Sequence, residues 1–403
     1  MEKGDLPDRI FWLANDREIK GAETTDVYFL NTKEVLAKHH IDSEVVMEVF
    51  VRDLPYPRIW GILAGVYEAA KLLEGLPVDV WSFDEGSVFL ADGRNALYEP
   101  VMTIVGRYRD FAEYENPLLG LLAASTSVST RAARFREAAG DRMLVSFGTR
   151  RIHPALAPLV ERCCYVAGFD GFSNVLAGKL LGVAPSGTMP HALVQVVGDQ
   201  AKAWRLYDET MPKSVKRTVI ADTFWDEKTE AVKALEVLGK RLWAVRLDTP
   251  ASRKGDLRKI IEEVRWELDI RGGEAVKILV SGQMDEEAVS RLRDVADGFG
   301  IGTAVAYPPV IDFSAKIVEV KAKGGTQFRA KRGGLGGRKD VLRSPGFKDR
   351  VVLHGKGGGG EPMLRPLLKG GKMVSKFRDV KALRTKVLEE LAQLEGAEPS
   401  LGR

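Results

Sequence analysis

TVIADTFWDEKTEAVKALEVLGKRLWAVRLDTP, residues 218–250, holds the unit from which the fold is read. A short apolar run, 218–223, gives way to a polar loop. The segment 226–239 then has helical periodicity, acidic residues in its first turn and a closing glycine. A second apolar run, 242–248, ends in Asp-Thr-Pro. Strand, loop, amphipathic helix and strand in that order describe two parallel strands joined by a crossover helix.

The unit recurs. Further apolar runs stand at 143–147 (MLVSF), 276–281 (VKILVS) and 301–306 (IGTAVA), with amphipathic segments at 256–270 and 285–297. A repeat of roughly 25–35 residues predicts an α/β barrel or an open doubly wound sheet. The runs end, or in the last case begin, in FGTRR (147–151), ADTF (221–224), RLDTP (246–250), SGQ (281–283) and FGIGT (299–303). Parallel architectures build their sites at the C-terminal strand ends, so five loops are expected to share one site.

Before residue 118 the pattern is mixed. A strand is expected at 45–54, a helix at 60–76, two short strands around Asp84-Glu85-Gly86 within 78–93, and a long helix from about Pro117 to Ala139. After Lys331 the chain turns glycine-rich and basic, with little sign of a core until helical character returns at about 379–394. Residues 321–386 carry 19 Lys and Arg against 4 Asp and Glu, whereas the whole chain has 60 against 56, which leaves the remainder acidic. Aromatic residues are sparse in this basic stretch, so a nucleic-acid-binding role through it is the weaker explanation.

With 403 residues, 45% hydrophobic and 29% charged, the composition is that of a globular protein of two or three domains. The charged N-terminal stretch lacks the apolar core of a signal peptide, and no segment has the length and apolarity of a membrane span. The two cysteines, Cys163 and Cys164, are adjacent, which suits neither a disulfide framework nor a zinc site. A reducing cytoplasm is the expected compartment.

Candidate chemistry follows from the loops. Asp222 and Asp248 end neighbouring strands of the repeat; such a pair can act as acid and base, hold Mg²⁺ through water, or accept from sugar hydroxyls, and each alone also fits a helix cap. Ser281-Gly282 and Gly302-Thr303 offer small residues whose backbone N–H groups can approach a phosphate. His191, after the small-residue loop APSGTMP (184–190), has the chemistry of a general acid or a phosphate contact, or else of a cap. Arg150 and Arg151, at the end of a buried strand, suit an anionic ligand. Together these point to a ligand with hydroxyls and several negative charges, such as a sugar phosphate.

TTDVYFLNTKEVL (24–36), FGTRRIHP (147–154), GFDGFSNVLAG (168–178), SGTMPHA (186–192), ADTFWDEKTEA (221–231), VRLDTP (245–250), SGQMD (281–285) and FGIGT (299–303), in that order, resemble nicotinate phosphoribosyltransferase of the archaeal type. The resemblance covers about Thr24 to Arg343. It implies an irregular, TIM-like α/β barrel over 119–306 and an N-terminal α/β sandwich-like domain over 1–118, completed by about 307–343. A basic C-terminal region over 344–403 follows. It also implies a homodimer or higher homo-oligomer with shared sites, and cytoplasmic pyridine nucleotide salvage.

The implied reaction joins nicotinate to phosphoribosyl pyrophosphate, with Mg²⁺ and with ATP as co-substrate. The implied roles are His191, Arg246, Asp248 and Asp222 in catalysis, the aspartates serving ribose hydroxyls or Mg²⁺, and His191 carrying the ATP coupling. Phe147 and a partner subunit's counterpart of Tyr28 enclose the pyridine ring, with Gly148, Thr149, Arg150 and Ser173 nearby. Ser281, Gly282, Gly302 and Thr303 hold the 5′-phosphate. Some archaeal members carry a C-terminal zinc knuckle built on cysteines; this chain has no cysteine there, so no zinc is expected. Enzymes using nicotinamide or quinolinate are the alternatives, and a dicarboxylate acceptor would call for more cations than the arginine pair supplies.

Overall fold

The apolar runs of the repeat form one parallel sheet. Its strands lie in the order Gly171–Phe172, Met143–Ser146, Gly298–Ile301, Lys277–Ser281, Leu242–Leu247 and Arg217–Ile220. The sheet is open and curled, a half-barrel flanked by helices, as the TIM-like expectation required. Three crossover helices start alike. Asp226 caps Glu227–Leu238, Asp256 caps Leu257–Asp269 and Asp285 caps Glu286–Leu292, each carboxylate accepting backbone N–H groups of the first turn. Ile261, Val264 and Leu268, spaced three and four apart on the second of these helices, are buried.

One strand is displaced from its expected place. The strand expected at 301–306 lies at Gly298–Ile301, and Thr303–Ala306 forms a short helix. Glycine explains the strand: a Cβ at Gly298 would come within 2.9 Å of the Met143 carbonyl oxygen. The close approach of the two strands therefore requires a residue that looks, in sequence, like a turn.

The computed structural model describes residues 10–93, 97–249, 252, 255–322 and 324–403. Pro250 of the Asp-Thr-Pro loop and the first nine residues lie outside these. The half-barrel belongs to a unit of residues 127–309 and 379–392, the second segment being most of the Val380–Leu394 helix. There Arg384 donates to the Gly168 carbonyl at 3.2 Å and to Asp170 at 3.0 Å.

The other unit takes in residues to 126, 310–378 and 393–403. Its seven-stranded sheet runs Gly325–Phe328, Phe313–Ala322, Glu44–Val51, Pro100–Arg107, Val78–Ser82, Arg365–Lys369 and Lys372–Met373. The Val66–Leu73 helix buries Val66, Ala69, Ala70, Leu72 and Leu73 in the core of the same unit. The basic C-terminal region supplies strands and core residues here. Val341, Val351, Leu367 and Leu368 are buried, and Lys339 pairs with Glu48 at 2.8 Å out of solvent. Its glycines and lysines flank the few apolar residues that make the contacts, so the local composition conceals them.

Candidate active site

Asp222 and Asp248 meet just beyond the C-terminal ends of adjacent strands. The Asp248 backbone N–H donates to Asp222 Oδ2 at 2.6 Å, and the Thr249 hydroxyl donates to the same oxygen at 3.2 Å. Asp222 Oδ1 is buried without a hydrogen bond and faces His191 Nε2 at 3.7 Å. Burial raises the Asp222 carboxyl above the usual aspartate range, while the Asp248 N–H and His191 work against the rise. His191 opens the His191–Val197 helix; its Nδ1 is 3.1 Å from the Thr223 hydroxyl and its Nε2 3.9 Å from Asp248. Loops from three places in the sequence thus bring one imidazole against two carboxylates.

Arg246 reaches the same group from within its strand. Its Nη2 is 3.6 Å from Asp248 Oδ2, its Nη1 bonds the Thr188 hydroxyl, and its guanidinium stands 5.7 Å from the Phe147 ring centre. The side chain is mostly buried and Nε has no hydrogen bond. Burial lowers its pKa, as does the nearby charge of Arg150, and the two aspartates oppose this. Phe147 can lie here because residue 300 is glycine: a Cβ at Gly300 would fall 2.3 Å from the ring carbon Cε2. A cavity of about 430 Å³ follows, lined by Phe147, Thr188, Lys216, Trp243, Arg246 and Ser281 among others.

Of the remaining expected residues, Ser281 and Gly282 adjoin Asp248. Ser281 donates from its hydroxyl to Asp248 Oδ1 at 2.8 Å. Gly282 adopts a φ of +86°, and a Cβ there would approach the same oxygen to 3.3 Å. Gly302 caps the short helix that Thr303 opens. Gly148, Thr149 and Arg150 form a single turn after Phe147, with Gly148 buried and Arg150 exposed. The Thr149 hydroxyl donates to Glu161 at 2.6 Å. Ser173 is half-buried, directly after the Gly171–Phe172 strand. Tyr28 belongs to the other unit, where it is 52% exposed and its hydroxyl donates to Asn116 at 3.4 Å.

Sequence reading missed Thr188, Lys216, Trp243, Gly300 and Glu161. Lys216 and Trp243 stand at the starts of their strands, the ammonium 4.2 Å from the indole centre, away from the strand ends where parallel sheets are expected to build their sites.

Among the described residues no group of three or more His, Cys, Asp or Glu is arranged to hold a metal ion. Mg²⁺ asks for less, since it keeps several waters and takes one or two carboxylates together with ligand phosphates. Asp222, with a buried oxygen lacking any hydrogen bond, and Asp248 beside it fit that use.

Residues 26–126 match the model of the quinolinate phosphoribosyltransferase N-terminal domain, and residues 128–316 match that of the C-terminal domain. A solved structure of nicotinate-nucleotide pyrophosphorylase from Pyrococcus furiosus is 45% identical, with a TM-score of 0.92 over 96% of this chain and 99% of that one. The chain belongs to the quinolinate phosphoribosyltransferase family. It is accordingly an enzyme of the phosphoribosyltransferase superfamily.

The nicotinate phosphoribosyltransferase pncB2 of Mycobacterium tuberculosis is 28% identical over 89% of this chain and 84% of that protein. Human nicotinic acid phosphoribosyltransferase, 20% identical with a TM-score of 0.73, shares the fold.

This membership corrects the resemblance drawn from the motifs. The nicotinate-type assignment gives way to the quinolinate family, and with it go nicotinate as the assigned acceptor, ATP as co-substrate, the ligase activity and the salvage role. The physical reason lies in where the motifs sit. Asp222, Asp248, Ser281 and Gly282 lie at strand ends suited to a ribose phosphate, a group common to both reactions, and so do not discriminate between acceptors. Mg²⁺ is retained as a family property.

Proposed function

We propose that this chain transfers the phosphoribosyl group of phosphoribosyl pyrophosphate to the ring nitrogen of quinolinate, releasing pyrophosphate and carbon dioxide and leaving nicotinate mononucleotide. The observation that carries the choice of acceptor is the match of both domains to the quinolinate phosphoribosyltransferase models, and the largely buried Arg246 beside Phe147 fits a carboxylate-bearing ring. Arg246 is mostly buried and its charge is disfavoured both by that burial and by Arg150. An acceptor with two carboxylates offsets the two guanidinium charges more fully than one with a single carboxylate. Arg246 thus adds to Arg150 a second cation, from a strand separated by two others in the sheet. The two buried free cysteines support a reducing, cytoplasmic setting, and among the described residues no helix is long and apolar enough to cross a membrane.

The reaction balances without a protein nucleophile. The pyridine nitrogen forms the bond to ribose C1 as the bond from C1 to pyrophosphate breaks, and pyrophosphate leaves with that electron pair. The bond from ring C2 to its carboxylate then breaks, carbon dioxide leaves, and C2 takes a proton. Positive charge builds on the ribose during the first step, so Asp222 and Asp248 act by electrostatics and by holding ribose hydroxyls. Phe147 and Arg246 orient the ring. His191 stands beside both carboxylates, where an imidazole suits the departing pyrophosphate. Mg²⁺, when bound, supplies neutralising charge to the phosphates, and Asp222 and Asp248 are the residues that would hold it.

Purified protein given phosphoribosyl pyrophosphate, Mg²⁺ and either quinolinate or nicotinate tests the proposal. Nicotinate mononucleotide and carbon dioxide formed from quinolinate, at a rate unchanged by ATP, are expected. Mononucleotide formed from nicotinate and none from quinolinate would overturn the acceptor.

A further inference from the structure

We infer that Glu161 is a positioning residue for the pyridine acceptor, acting through Thr149 on the turn that carries Phe147 and Arg150. Glu161 lies on the Ala157–Val166 helix and is fully buried, an unusual place for a carboxyl on a helix whose other buried residues are Ala157, Val160, Cys163, Cys164 and Val166. Its Oε1 accepts from the Thr149 hydroxyl at 2.6 Å, while Oε2 is buried with no hydrogen bond. Ser146 ends its strand and accepts from the Gly148 backbone N–H at 3.4 Å. The carboxyl therefore holds the turn that follows Phe147, and Ser146 braces the same turn from the strand end.

Packing completes the support. A Cβ at Gly148 would meet Val160 Cγ1 at 3.4 Å, so the helix lies directly against the turn. The Phe147 backbone N–H is held separately, by the Ile301 carbonyl at 2.7 Å. A buried carboxyl costs stability unless its oxygens are bonded, and a leucine or methionine would fill this helix position without that cost. What the carboxyl adds is orientation of the turn, and the groups on that turn face the acceptor rather than the ribose phosphate.

The inference rests on the proposed placement of the acceptor ring against Phe147. It is tested with the acceptor that the unaltered chain converts. Glu161→Met is expected to raise the acceptor KM about tenfold while the KM for phosphoribosyl pyrophosphate stays within about twofold. Glu161→Gln, whose amide oxygen still accepts from Thr149, is expected to keep the acceptor KM within about threefold of the unaltered chain. Thr149→Val should reproduce the Met variant, and the double variant Thr149→Val with Glu161→Met should be no worse than either alone.

Additive effects in that cycle, a parallel rise in both KM values, or an unchanged acceptor KM in Thr149→Val would overturn the inference. Failure of the functional reading looks different. The unaltered chain would then use nicotinate alone, which leaves the inference standing with that acceptor, or neither pyridine acid, which removes both.

Discussion

Asp222 gives one carboxylate oxygen to the backbone of Asp248, at 2.6 Å, and keeps the other buried with no hydrogen bond, facing His191. A carboxylate so divided is half structural and half free to meet a ligand. Asp222→Asn keeps an acceptor for the Asp248 N–H but removes the charge. Its kcat with saturating substrates is expected to fall by about 10²–10³-fold, the scale of losing one electrostatic contact to a charge that develops during reaction. A loss below about threefold would place the ribose elsewhere.

The same carboxyl predicts a pH effect. Burial raises its pKa above the ordinary aspartate range, and in the proposed function it is the ionised form that acts on the ribose. Activity should therefore begin to fall, on acidification, at a higher pH than an ordinary aspartate would give. The acid limb of kcat/KM for phosphoribosyl pyrophosphate is the measurement, and it should be absent from the residual activity of Asp222→Asn.

Arg246 makes three different contacts, with Thr188, Asp248 and the face of Phe147. A lysine carries the charge but not the planar fork that serves all three at once. Arg246→Lys is expected to raise the acceptor KM about tenfold or more, and Arg246→Ala to raise it further. Equal KM values in the unaltered chain and Arg246→Lys would show that charge alone suffices.

Gly300→Ala would place a methyl group 2.3 Å from Phe147 Cε2. The ring must then move or the strand must shift, at a cost of about 1–3 kcal/mol. Lower thermal stability is expected together with loss of acceptor binding. Removing the ring should relieve most of the clash and leave only Ser281 Cβ at 3.1 Å, so Gly300→Ala should lower the melting point of Phe147→Ala less than that of the unaltered chain.

Glu115 supplies a stability test in the other unit. Burial lifts its carboxyl to about 7, from a glutamate value of 4.5. The folded chain therefore holds this proton more tightly than the unfolded chain, and Glu115 costs stability progressively as pH rises from about 4.5 to about 7. Glu115→Gln should melt above the unaltered protein at pH 8 and level with it at pH 4.5. An equal difference at both values would mean that the effect is packing, not ionisation.

The half-barrel was legible because its strands are apolar and its crossover helices begin on aspartate caps, both local signals. The helices expected at 226–239 and 256–270 fall at Glu227–Leu238 and Leu257–Asp269. The Gly171–Phe172 strand was not legible, since two residues carry no period. The helix expected at 60–76 contains the Trp60–Ile62 strand before Val66–Leu73, because apolar residues on both sides of Gly65 read as one run. Gly65 itself has a φ of +85°, and a Cβ there would lie 2.7 Å from the Leu121 carbonyl oxygen.

At the site, residues at strand ends could be anticipated from position alone. Thr188 could not, because only the fold turns its loop toward Arg246. The acceptor was misread for a related reason. The short motifs suit what the ligands of related enzymes share, a ribose phosphate, whereas in the proposed function the acceptor is chosen by Arg150 and Arg246, which lie 96 residues apart and come from separate strands.

The division of the chain has a consequence for its synthesis. Each unit takes its residues from separated stretches, with 379–392 returning to the half-barrel and 393–403 to the other unit. The Ser400–Gly402 strand pairs with Lys348–Leu353. Neither unit is built from one continuous stretch, so during synthesis both must wait, partly built, until residues 379–403 have been made.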